Sequence, residues 1–185
     1  MRKTIWTFGL IAGAVLSVMM LATLPFADRI GFDSLQIIGY TTMVLSFLMV
    51  FFGIRTYRDN VAGGTVTFGR AFRVGLLITL ISCACYVATW QVIYYKLAPD
   101  FVDKYAAHML DKAKASGASE QELVTQRRKM EEFQEMYSNP FVNVAITFVE
   151  PFPVGLLVTL ISAGILKRKP KRGVDGAPAG DPSAS

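Results

Sequence analysis

Glu150 stands in the last long apolar stretch of the chain, between Val149 and Pro151-Phe152-Pro153. Burying an ionisable group at bilayer depth is costly, so such a residue is a functional candidate by default. Pro151 and Pro153 each remove a backbone donor and disturb a helical ladder. Carbonyls freed in this way can hold ions or water if they line a cavity. The chemistry on offer is a carboxylate that binds a proton or a cation within a broken helix. A structural reading competes with it: Glu150 accepts a hydrogen bond from Tyr86 or Gln91, the deep polar residues of the preceding apolar run, and pins the kink. The sequence supplies no second intramembrane acid or base for a proton relay, so transport would need two copies of Glu150 brought together in a homodimer.

A second group of candidates is basic. Arg55, Arg58, Arg70 and Arg73 surround the stretch 55–73, where Asp59 is the one negative charge. They could grip lipid phosphates, with Glu150 or Asp59 as a base, or simply anchor helix ends at the cytoplasmic interface. The sequence GGTVTFGR in this stretch lacks the Gly-Lys-Ser/Thr of a phosphate-binding loop. Cys83 and Cys85 lie two apart on a helix and point to different sides, so they are not expected to pair. With His108, expected at the surface, they make too small a set for a metal. No cofactor and no metal are expected, and no Ser-His-Asp set is visible.

These residues are carried by a chain of 185 residues that is 52% hydrophobic and 18% charged. Mean hydropathy is +0.40. The charges collect in the termini, one short loop and residues 96–139. Between them lie four apolar runs, near residues 5–24, 35–54, 72–95 and 141–166, each close to the roughly 20 residues that a bilayer core requires. The expected fold is all-α: an integral membrane four-helix bundle, residues 1–172, with an extracytoplasmic helical hairpin between spans three and four. Arg2-Lys3 before run one could suggest a signal peptide, but the run is too long and Pro25-Phe26-Ala27 is a poor cleavage site. A short turn over 27–34 should follow it.

Residues 96–139 have the grammar of two helices. Phe101, Val102, Tyr105, Ala106, Met109, Leu110 and Ala113 recur on one helical face. Gly117 is a stop signal. Ser119 with Glu122 forms a capping box that opens the second helix, on which Leu123, Met130, Phe133 and Tyr137 share a side. Asn139-Pro140 ends it and begins run four. The two apolar faces should pack on each other or on the membrane surface. The last stretch, residues 173–185, is Gly, Pro, Ala, Ser and Asp with little else, and is expected to be disordered.

Lys and Arg set the expected orientation. Two precede run one, four flank the 55–73 loop, and five follow run four (Lys167, Arg168, Lys169, Lys171, Arg172). Basic residues at helix ends stay in the cytoplasm, which puts both termini inside and the helical hairpin outside.

VGLLITLIS (74–82) returns as VGLLVTLIS (154–162) with one change. The small residues Gly75, Thr79, Ser82 and Gly155, Thr159, Ser162 are spaced i, i+4, i+7, which places each set on one face. Small faces let membrane helices approach closely, and hydroxyls can bond across. Antiparallel packing of spans three and four along these faces is expected.

The four-span layout, Tyr57-Arg58-Asp59 leaving span two, Gly63-Gly64, and Thr67-Phe68-Gly69-Arg70-Ala71-Phe72 leading to Gly75 resemble the bacterial membrane proteins of domain-of-unknown-function family 4199. The polar segment after span three and the Glu150-Pro151 element fit the same resemblance, which covers roughly residues 5–169. It implies a bacterial inner-membrane protein and brings no activity with it. The function expected is a non-enzymatic structural or accessory membrane protein. The alternative is a dimeric proton-coupled small-solute carrier or channel using Glu150. The expected partners are the lipid bilayer and a second copy or a larger membrane complex, with no nucleic acid.

Overall fold

A computed structural model of the chain describes residues 1–168, except for the side chains of Ala27 and Asp28. The expected tail and Lys169, Lys171 and Arg172 lie outside the described residues. Helix α1 spans Arg2–Thr23, α2 Ala27–Ile30, α3 Phe32–Asn60 and α4 Phe68–Val92. The hairpin helices are α5 (Phe101–Ala115) and α6 (Glu120–Ser138), followed by α7 (Pro140–Val149) and α8 (Pro151–Leu166). The fold is the expected all-α membrane bundle.

Four stretches are long and apolar enough to cross a membrane: Arg2–Phe26, Phe32–Asn60, Phe68–Leu97 and Pro140–Leu166. The shortest has 25 residues and the longest 30. At 1.5 Å per residue that is about 38–45 Å, more than the ~30 Å hydrocarbon core. The helices run beyond the apolar limits read from the sequence, because hydropathy marks only their apolar part while backbone hydrogen bonding continues past it. The turn expected over 27–34 is corrected: a 3-10 turn at Leu24–Phe26 leads into α2, and Gly31 separates it from α3.

Span three (α4) is the hub, packing against α1, α3, α7 and α8. Phe47, Val50 and Ile54 of α3 meet Val74 and Ile78 of α4 in a fully buried centre. Ile37, Leu45, Leu157 and Ile165 face outward. An apolar exterior of this kind suits lipid contact.

The repeated motif builds the α4–α8 contact. Thr79 Oγ1 lies 3.0 Å from Thr159 Oγ1 and donates toward the Gly155 carbonyl at 3.4 Å. A Cβ on Gly75 would come within 2.8 Å of Thr159 Cγ2, and one on Gly155 within 2.5 Å of Thr79 Cγ2. Each glycine receives the other helix's threonine, a reciprocal arrangement in which neither position has room for a side chain.

The hairpin helices pack on each other and on the ends of the spans. Ser119 and Glu122 form the capping box, with the Ser119 amide donating to Glu122 at 2.8 Å. Gln134 donates to Asp103 at 2.8 Å, and Tyr105 meets Phe133 with ring centroids 6.5 Å apart. The α5 face rests on the start of span two, where Phe32 touches the edges of Phe101 and Tyr105. At the opposite end of the bundle, Val66 and Arg168 exchange backbone hydrogen bonds of 3.2 and 2.9 Å, tying the loop after span two to the end of span four.

Candidate functional site: a vestibule ending at Glu150

Span four is interrupted where the prolines require it. Pro151 and Pro153 have no N–H, so the carbonyls of Thr147 and Val149 lose their helical donors. Glu150 itself keeps helical angles (φ −64°, ψ −58°), so α8 continues from α7 with only a local break. Asn143, Ile146, Thr147 and Glu150 recur at a spacing that gives them one face. That face looks toward span three and the hairpin.

Polar side chains are joined along it. Tyr86 donates to Glu150 Oε2 at 2.9 Å. One turn further on, Trp90 Nε1 donates to Tyr137 Oη at 2.8 Å, and Tyr137 lies 3.4 Å from Thr147 Oγ1. Burial holds the Tyr137 phenol above its ordinary pKa. Gln91 Nε2 donates to Asn143 Oδ1 at 2.8 Å. Asn143 is fully buried, and its Nδ2 finds no acceptor among the described residues.

Beside this ladder lies a cavity of about 660 Å³ bounded by spans one to three, α7 and the hairpin. Its walls are apolar and aromatic, among them Leu16 and Met20 of α1, Tyr40 and Met43 of α3, Phe101 and Tyr105 of α5, and Phe133 of α6. Glu150 lines it beside Tyr86, with part of its surface exposed. The other end carries Asp33, His108 and Lys112. Lys112 Nζ bonds Asp33 Oδ1 at 2.7 Å. His108 Nε2 lies 3.8 Å from the same oxygen, too far for a hydrogen bond, and its ring packs on Phe32. This corrects the surface placement expected for His108: it is half-buried at the cavity mouth.

Of the residues singled out from the sequence, Tyr86 meets Glu150 and Gln91 does not; Gln91 serves Asn143 instead. Gly75, Thr79, Gly155 and Thr159 form the α4–α8 contact. Ser82 does not join it: its hydroxyl lies 2.9 Å from the Ile78 carbonyl of its own helix and 3.1 Å from the Gly9 carbonyl of span one. Ser162 is buried in α8. Arg58 pairs with Asp59 at 2.6 Å, with Arg55 at 3.7 Å, while Arg70 and Arg73 are exposed on the first turns of α4. These arginines lie at the end of the bundle away from the cavity, so the Arg–Glu150 partnership of a lipid-processing enzyme is not assembled.

Three features escaped the sequence reading. Gly9 and Gly13 press span one against Ile81 and Cys85 of span three, where a Cβ would approach within 2.8 and 2.6 Å. Their G-x-x-x-G spacing was the available signal. Asn143 and the Trp90–Tyr137 pair were the others; a lone Asn inside an apolar run should prompt a search for its partner.

The family described as Protein of unknown function (DUF4199) matches residues 7–168. The chain belongs to that family. As a DUF4199 protein it is a multi-pass membrane protein, and membership assigns no activity. Comparisons with curated proteins and with solved structures return no match. The stretch that carried the resemblance forms the DUF4199 turn between spans two and three: Tyr57 is buried, and Gly63 and Gly64 take positive φ of 65° and 82°, which side chains resist.

Proposed function

We propose that this DUF4199 protein is a non-enzymatic accessory protein of a bacterial inner membrane that holds a membrane-dissolved guest in the vestibule beneath its hairpin. The observation that carries this reading is the 660 Å³ cavity, within the roughly 300–1,000 Å³ of small-molecule sites, with apolar walls and one carboxylate at its inner end. Its two best candidates for acid–base chemistry, Glu150 and His108, sit at opposite ends, so they cannot act on one bond. The cytoplasmic side is read from Arg2, Lys3, Arg55, Arg58, Arg70, Arg73, Lys167 and Arg168, which gather at one end of the bundle. The hairpin and the vestibule are then extracytoplasmic.

Gly39 lines the cavity, shares the core-facing side of α3 with Met43, and a Cβ there meets nothing within 4 Å. Gly39→Leu should fill the space without straining the helix. Titration of the neutral fluorophore N-phenyl-1-naphthylamine into nanodisc-embedded protein should show saturable binding that Gly39→Leu removes. Identical titrations for wild type and Gly39→Leu would defeat the vestibule reading. The accessible Glu150 also favours a second reading, the dimeric proton-coupled carrier. In that case Glu150→Gln would fold normally and abolish proton flux in proteoliposomes.

A further inference from the structure

We propose that the guest is a lipophilic organic cation, its onium head against Glu150 and its apolar body along the aromatic wall. This deepens the vestibule reading and rests on it. Charge is the first ground. Glu150 is the acid at the inner end, and the lysine among the lining residues, Lys112, is engaged by Asp33 at the mouth. A carboxylate is acceptor-only, and the Tyr86 hydroxyl occupies one of its roughly four lone-pair sites. The rest of the group opens on a cavity whose neighbouring walls carry rings and hydroxyls but, among the lining residues of the inner half, no cationic group. A cation supplies the countercharge that such walls do not, whereas an anion would be repelled and a neutral apolar guest would desolvate the carboxylate without pairing it.

The walls are the second ground. Tyr40, Tyr86, Trp90 and Tyr137 line the inner half. The Trp90 N–H is already spent on Tyr137. Ring faces attract cations, most strongly where water is excluded. Shape is the third. Along α3 the lining runs from Phe32 to Met43, about 17 Å of helix. That length accommodates a head and an extended apolar body together. Span two packs along α8, while α7 leans on α4 and α6. The cavity therefore lies between α3 and α7, where a guest dissolved in the bilayer can reach it.

The test uses tetraphenylphosphonium and its near-isosteric anion, tetraphenylborate, on the full chain in nanodiscs, with empty nanodiscs subtracted. Tetraphenylphosphonium should bind saturably and displace N-phenyl-1-naphthylamine, and tetraphenylborate should not. Glu150→Gln should weaken phosphonium binding by about tenfold or more, the size of one lost close charge contact, while the neutral probe, which no longer desolvates a carboxylate, binds at least as tightly. Glu150→Asp keeps the charge and should retain phosphonium binding within a few-fold. Equal competition by both ions, or unchanged phosphonium affinity in Glu150→Gln, overturns the cation proposal while a Gly39→Leu-sensitive neutral probe leaves the vestibule standing. If Gly39→Leu alters neither probe, the vestibule fails and the cation proposal with it.

Discussion

At the residue scale, the distinction that matters is between losing a charge and losing a hydrogen-bond acceptor at position 150. Glu150→Gln still accepts from Tyr86, so thermal stability in detergent should stay near wild type. Glu150→Leu leaves the Tyr86 hydroxyl without that acceptor, which costs about 1–3 kcal/mol for a buried group. A melt in which Gln and Leu are equally destabilised would show that the negative charge itself holds span four in place. Glycines give a sharper contrast. Gly75→Leu must displace Thr159, Ile54 and Val50, all within 3.1 Å of a new Cβ, and should cost about 1–3 kcal/mol or more. Gly164→Ala meets nothing within 4 Å and should be neutral or slightly stabilising. Equal melting temperatures for Gly75→Leu and Gly164→Ala would refute the close α4–α8 approach. Tyr86 was legible from depth alone, because it lies at the level of Glu150 on the antiparallel neighbour. Gln91 missed Glu150 because it lies five residues, about 7.5 Å of helix, beyond Tyr86, which brings it level with Asn143 instead.

At the scale of elements, the helical repeat specified an interface, and an oxidative crosslink reads it directly. With Cys83 and Cys85 replaced by alanine, cysteines at 79 and 159 should form a disulfide under mild oxidation; crosslinking of position 79 to span one instead would contradict the contact seen. The repeat read well for Gly75, Thr79, Gly155 and Thr159. It failed at Ser82 because span one, with its own glycine pair, takes over the same helix face one turn beyond Thr79. The hairpin was legible through its caps, since local hydrogen bonds carry that information. Its docking on Phe32 and Asp33 was not, because contacts so far apart in sequence leave no periodic trace. The cap also makes a pH prediction. The Ser119 amide and hydroxyl hold the Glu122 carboxyl below its usual 4.5. Its stabilising effect is therefore complete above that value and is lost as pH falls through the lowered one. Acidification through the lowered pKa should reduce the protection of the Ser119 amide relative to its intrinsic exchange rate, and Glu122→Gln should remove that pH dependence. Protection that is flat across this range in the wild type would discount the cap.

For the whole molecule, the four-span architecture followed from hydropathy because a bilayer imposes one length on every crossing element. The vestibule did not, since a cavity is defined by what several helices leave empty between them. Orientation gives the largest-scale prediction. Reporter fusions at residue 60 should show cytoplasm, and fusions at residues 30 and 118 should show the opposite side; an extracytoplasmic signal at residue 60 would invert the whole arrangement.

The hub position of span three also has a consequence for synthesis. The glycine face of span one points at Ile81 and Cys85, and the Gly9 carbonyl takes its side-chain hydrogen bond from Ser82. The glycine face of span four waits on Thr79 of the same helix. A nascent chain that has delivered only its first two spans therefore holds a pair of helices with one grooved face uncovered. Their arrangement becomes fixed when the third leaves the translocon, and the fourth then closes onto a surface already assembled. A chain halted near residue 67 should be inserted yet remain open to membrane proteases, whereas one halted after residue 97 should already protect spans one and two.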